Sequence, residues 1–182
     1  MKAAFVVIAL VILRQSPVLA QDTPRLAIDV IGGSGSRSAR AGDVWFARPY
    51  KEDFSRIGAG LRLGTARRVN AVMVASYTFD VRGDDVLICD PAPNGTCAVN
   101  FPPASGPSIG IGLRGTVVRR LSAGVLAGVG RTENTMGFVA VETAVRVSSH
   151  VSIVAEYRYQ AWRDALDRPV WYRPIGVGIR LY

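Results

Sequence analysis

Beyond its first twenty residues the chain contains no apolar run of 18 residues, which excludes a helical membrane span even though 49% of the sequence is hydrophobic. Histidine is nearly absent: His150 is the only one, and it lies far from the two cysteines, Cys89 and Cys97. No cluster therefore has the spacing of a metal site, and nothing suggests a cofactor. Lysine is almost missing too, so the positive charge is carried by arginine. An apolar composition without a spanning helix leaves strands as the way such a chain could meet a membrane.

The N-terminus is a separate unit. Lys2 precedes the unbroken apolar run Ala3 to Leu13, Arg14 closes it, and Val18-Leu19-Ala20 supplies a small-residue cleavage pattern. This is the form of a secretory signal peptide, residues 1–20, cleaved after Ala20. Gln21 stands where a lipid-modified N-terminus would need Cys. The remaining 162 residues, 21–182, suit one domain. Without Lys2 and Arg14, 20 basic residues face 14 acidic ones, a net charge near +6. An exported protein rarely meets nucleic acid but always meets anionic lipid, so no nucleic-acid partner is expected. In that oxidising setting Cys89 and Cys97, bracketing the turn-rich stretch 90–96, are expected to form a disulfide.

Period-two alternation runs through the mature chain. Leu26, Ile28 and Val30 alternate with Arg25, Ala27 and Asp29, while Ile57, Ala59, Leu61 and Leu63 alternate with Arg56, Gly58, Gly60 and Arg62. The pattern recurs near 69–81, 108–117, 121–131, 136–147, 151–162 and 171–182. The connections alternate as well: 65–68, 118–120 and 148–150 are tight, whereas 33–53, 82–107, 131–135 and 163–170 are generally longer. Eight long strands with short turns on one side and longer loops on the other predict an all-β fold, an eight-stranded antiparallel up-and-down transmembrane β-barrel with periplasmic turns.

One strand face carries no charge, with Met73, Ala75, Ile109, Ile111, Leu113, Val125, Val139, Val141, Ile153, Val177 and Ile179 as typical members; the other is glycine and charge. A soluble lipocalin-like barrel would put the apolar face inside. Glycine costs about 0.5 to 1 kcal/mol against alanine on a solvated strand. Inside a narrow barrel it instead makes room for long polar side chains. The polar face is therefore assigned to the lumen. Tyr77, Phe79, Tyr157 and Tyr159, toward the loop ends of their strands, are expected to form part of an interfacial aromatic girdle.

Three segments share the form Gly-x-Gly-(Leu/Ile)-Arg: Gly58 to Arg62, Gly110 to Arg114 and Gly176 to Arg180. The middle one continues to Gly115 and matches a dinucleotide fingerprint as a string, but a strand and a basic turn follow it where a helix would be required. The repeat places Arg62, Arg114 and Arg180 in the lumen at similar height. Asp29, Glu142 and Glu156 lie on the same face, with Arg146 and Arg158. Buried guanidinium groups need partners, so an internal salt-bridge network is expected. Sheet order brings Asp29 toward Arg180 or Arg62, and Glu156 toward Arg146 or Arg180.

With these features the chain resembles the small OmpA/OmpX-like, porin-family outer-membrane β-barrels. The resemblance implies a Gram-negative outer-membrane location, contact with outer-membrane lipid and lipopolysaccharide, reading of the last strand by the outer-membrane assembly machinery, and a monomer. Ile175, Val177, Ile179 and Leu181 keep the alternation of such a last strand, while Tyr182 falls one residue out of phase. No peptidoglycan-binding domain is expected. Ser148, Ser149 and His150 offer two of the groups a lipid A deacylase needs, yet in a turn without an adjacent carboxylate, so no enzyme is expected. The first loop, Ser34 to Asp53, combines Arg37, Arg40, Arg48 and Lys51 with Trp45, Phe46 and Tyr50. It is the candidate surface for an extracellular ligand. A structural or surface-interaction barrel with a plugged lumen is the leading reading, a narrow ion channel the alternative.

Overall fold

The structure, a computed structural model, describes residues 26–41, 44–47, 51–63, 69–79, 81, 84–89, 97–101, 103–163 and 167–182. The signal peptide, Arg48 and Tyr50 lie outside them. Eleven strands follow in chain order: β1 (Leu26–Ala41), β2 (Val44–Ala47), β3 (Glu52–Leu63), β4 (Val69–Phe79), β5 (Asp84–Cys89), β6 (Cys97–Phe101), β7 (Gly106–Val118), β8 (Leu121–Arg131), β9 (Thr135–Arg146), β10 (Val151–Arg163) and β11 (Pro169–Leu181). Eight of them form the wall in the order β1-β3-β4-β7-β8-β9-β10-β11, every neighbour antiparallel, and β11 pairs back onto β1. The result is a closed eight-stranded up-and-down barrel, and among the described residues there is no helix.

The alternation in the sequence becomes an alternation of burial. On β9, Met136, Phe138, Ala140, Glu142 and Ala144 point inward, while Gly137, Val139, Val141 and Thr143 point outward. The inward face is not wholly polar, which corrects the reading of a glycine-and-charge lumen. Ile31, Phe54, Met136, Trp162, Val170 and Tyr172 form an apolar cluster, and Val72, Val74, Leu126, Phe138 and Ala140 a second. Glycine provides their space: a Cβ on Gly110 would come within 2.7 Å of the Phe138 ring, and one on Gly35 within 2.3 Å of the Tyr172 ring.

Two of the predicted loops contain strand. Residues 33–53 form one of the longer connections in the sequence reading, and Gly33-Ser34-Gly35-Ser36 has low strand propensity. Instead β1 continues to Ala41, held on both sides, with Ser34 opposite Ile175 of β11 and Asp53 of β3. On the inward side Gly35 is tolerated because the Tyr172 ring fills the volume above it, and Gly33 because the β11 backbone at Ile175 and Gly176 approaches it closely. The long connection 82–107 holds a separate hairpin, β5–β6, in which Cys89 and Cys97 are backbone partners. Where this connection enters β7, Gly106 adopts φ +148°, and a Cβ there would lie 2.2 Å from the Arg131 carbonyl oxygen.

The β10–β11 ladder is interrupted between the pairs Tyr157–Ile175 and Gln160–Tyr172. Pro174, on β11 within that gap, has no N–H to donate. Opposite this gap Arg158 is buried in the lumen.

Candidate functional site

The lumen is crossed by charged side chains in three tiers. Nearest the turns, Arg180 on β11 grips Asp29 on β1 with two parallel bonds, Nε to Oδ1 at 2.7 Å and Nη2 to Oδ2 at 3.0 Å. The two residues are direct register partners across the seam that closes the barrel. The same Nη2 donates to Glu142 Oε2 on β9 at 2.9 Å. Arg114 on β7 then holds Glu142 through Nε and through Nη2, the latter to Oε2 at 3.0 Å, and reaches Asp29 Oδ2 at 3.5 Å. Two arginines and two carboxylates thus make a neutral ring that ties β1, β7, β9 and β11 together across the interior. Fork-to-carboxylate pairing of this kind has the geometry of strong, charge-assisted bonds.

Local sequence explains why these side chains fit. Gly124 on β8 is the register partner of both Arg114 and Glu142. A Cβ at that position would lie 3.0 Å from Arg114 Cγ and 3.0 Å from Glu142 Oε1. A Cβ on Gly60 would likewise lie 3.0 Å from Arg114 Nη1. Arg62 sits half-buried on the same inward face of β3.

In the middle tier, Glu156 on β10 meets Arg56 Nη2 of β3 at 2.7 Å and Arg158 Nε at 3.0 Å. Arg158 stacks over Phe138 at 4.2 Å, and Arg56 over Phe54 at 5.8 Å. These partners differ from the expected Arg146 and Arg180. Glu156 and Glu142 are cross-strand neighbours, and each turns to a different pair of arginines. Arg146 lies instead over the ring of Tyr182, 5.1 Å from its centroid. Because Tyr182 is out of phase with the outward residues, its side chain turns in over the turn end of the lumen, where its hydroxyl meets Ser152 Oγ at 3.2 Å.

The loop-end tier was missed. Arg37, expected on the loop surface, is fully buried in the lumen, paired with Glu52 at 2.6 Å and set over Tyr172 at 5.6 Å. Extension of β1 to Ala41 places it on the inward phase. Arg56 and Glu52 share the phase of Gly58, Gly60 and Arg62, so reading the repeat back from Gly58 by one and by three alternations would have located both. Arg40 is exposed. Ser149 Oγ and His150 Nδ1 are 2.8 Å apart on an exposed turn.

The outward face is the reverse. Each of the eight wall strands exposes large apolar side chains, Ile111 at 66%, Ile175 at 62% and Val177 at 58% among them. Tyr77, Phe79, Tyr157 and Tyr159 stand on this face; the first two rings are 4.6 Å apart. Among the described residues exposed charge is confined to the ends: Arg40, Lys51, Asp53, Arg131, Glu133, Arg163, Asp167 and Arg173 toward the loops, Arg119 at a turn. The uncharged outward positions of β10, Ile153, Ala155, Tyr157, Tyr159 and Ala161, cover roughly 20 Å along the barrel axis for a strand tilted by about 40°. Water would not be a good solvent for such a belt, and hydrocarbon would.

Closed eight-stranded wall, filled lumen and apolar exterior together define the architecture of the small transmembrane β-barrels. No protein-family model and no curated protein matches the chain. Among solved structures it is similar in fold to Neisserial surface protein A, at 13% identity over 87% of this chain and 97% of that one, TM-score 0.49. It is also similar to Ail, the attachment invasion locus protein of Yersinia pestis, at 14% identity over 86% and 99%, TM-score 0.47. A de novo designed transmembrane β-barrel gives 14% identity, 87% and 95%, and TM-score 0.48.

Proposed function

We propose that this chain is an outer-membrane barrel of a Gram-negative bacterium with a structural or surface-interaction role, its lumen closed and its loops the variable surface. The observation that carries the reading is the ring Asp29–Arg180–Glu142–Arg114, which joins opposite walls through the lumen. A path for ions would have to break it. Eight strands leave an interior just wide enough for side chains to fill, and the aromatic and charged tiers occupy it. The Ser149–His150 contact is assigned no catalytic role.

The reading includes export through a signal peptide cleaved after Ala20, a Cys89–Cys97 disulfide that staples the β5–β6 hairpin, insertion as a monomer by the outer-membrane assembly machinery, and lipopolysaccharide as the surrounding lipid. Single-channel recording in planar bilayers tests it. No steady conducting level is expected from the wild type. A steady open level that Arg114→Gln or Glu142→Gln alters would overturn the closed-lumen reading.

A further inference from the structure

The outer wall is not uniform. On β1 the outward positions above Val30 are Gly32, Ser34 and Ser36, which carry almost no side chain, and they form the floor of an open groove of about 480 Å³. One bank is β11, where Val177, Ile175 and Arg173 stand opposite Gly32, Ser34 and Ser36 in register. The other bank is the start of β3, with Asp53 opposite Ser34 and Lys51 at the rim. Climbing the groove, the lining changes from apolar to hydroxyl to charged. The change falls at the loop-side edge of the uncharged belt, where Arg173 lies beside the Tyr159 ring at 5.9 Å.

We infer that this groove is a seat for one molecule of lipid A, the phosphorylated glucosamine lipid of the outer leaflet; the inference rests on the outer-membrane reading above. An acyl chain would lie on Gly32 against Val177 and Ile175, where a bulkier floor would exclude it. A phosphate would sit between Lys51 and Arg173, the two cations of the rim. Asp53 and the hydroxyls of Ser34 and Ser36 need donors and acceptors rather than a second anion. A sugar headgroup supplies hydroxyls to all three. At about 480 Å³ the groove seats only part of the molecule, one acyl chain's start and the phosphate-bearing edge of the headgroup, and the rest lies along the outer wall.

Native mass spectrometry of the full chain refolded in detergent, titrated with lipid A, dephosphorylated lipid A and phosphatidylethanolamine in separate arms, tests this. One retained lipid A is expected, with at least ten-fold weaker retention of the other two. Lys51→Gln/Arg173→Gln is expected to lower lipid A retention ten-fold or more, whereas Arg163→Gln, exposed at the loop end outside the groove, leaves it unchanged. Gly32→Leu blocks the floor; its Cβ meets only the Phe54 carbonyl oxygen at 3.9 Å, so the barrel has room to fold around it. That variant should keep the folded gel mobility and lose the lipid. Equal retention by wild type and Gly32→Leu, or equal binding of phosphatidylethanolamine, would overturn the proposal. Failure of the wild type to show heat-dependent gel mobility would instead count against the membrane barrel itself.

Discussion

Glu142→Gln removes one charge from the ring while changing volume hardly at all. Glu142 is almost fully buried and accepts from both Arg114 and Arg180, so two guanidinium groups are left facing a neutral amide. Each contact near 3 Å corresponds to about 5 kcal/mol at an effective dielectric constant of about 20. Against this, the carboxylate no longer has to be desolvated, which returns several kcal/mol. Breaking a buried pair from one side usually leaves a net loss of about 3–5 kcal/mol, and that is the expected magnitude here. The measurement is urea unfolding of the barrel in lipid vesicles, followed by the mobility of unboiled samples in gels. Glu142→Gln/Arg114→Met removes one charge of each sign and should be more stable than the sum of the single changes by at least about 1 kcal/mol. A Glu142→Gln barrel within about 0.5 kcal/mol of wild type would mean that water solvates these arginines and that the ring does not close the lumen.

Three further outcomes are expected. Gly124→Val overfills the space beside Arg114 and Glu142 and should cost about 1–3 kcal/mol, while Gly137→Ala, whose Cβ meets nothing within 4 Å, should be neutral or slightly stabilising in the same unfolding assay. Ile111→Arg, in the middle of the belt, should lower stability in vesicles by about 2–4 kcal/mol; a variant as stable as wild type would show that the outer face does not meet hydrocarbon. Protein purified from an exported preparation should give no reaction with a thiol-specific reagent until it is reduced, and two modified cysteines would refute the Cys89–Cys97 pairing.

The wall was legible because a lipid-facing strand obeys one rule along its whole length: Ile109, Ile111 and Leu113, or Ile175, Val177 and Ile179, repeat the same polarity every second residue. The upper half of β1 obeys it too weakly to be seen. Gly32, Ser34 and Ser36 face outward above the apolar residues, and their composition is that of a loop. Strand pairing on both sides overrides propensity there, and Arg37 follows the strand inward. Individual ion pairs were harder than the set of charged residues. Partner choice in the lumen depends on strand stagger and on which long side chain reaches across, and neither is local in the sequence. Glu156 selects Arg56 from the opposite wall for that reason. The apolar fill, Phe54, Phe138 and Leu126, was hidden by the polar neighbours that share its phase.

The seam between β1 and β11 also constrains the order in which the molecule can come into being. Asp29 and Arg180 are 151 positions apart, so the bond that fastens the ring is among the most distant contacts the chain can make. Closing so long a loop costs entropy before any contact repays it, and folds dominated by such contacts form slowly. Until β11 arrives, β1 and β10 each present an unpaired edge, and Asp29 and Glu142 lack Arg180. A seven-stranded sheet therefore keeps two open edges and an incomplete ring. It either completes the circle in one cooperative step or remains an open sheet that must be shielded until its last strand is in place.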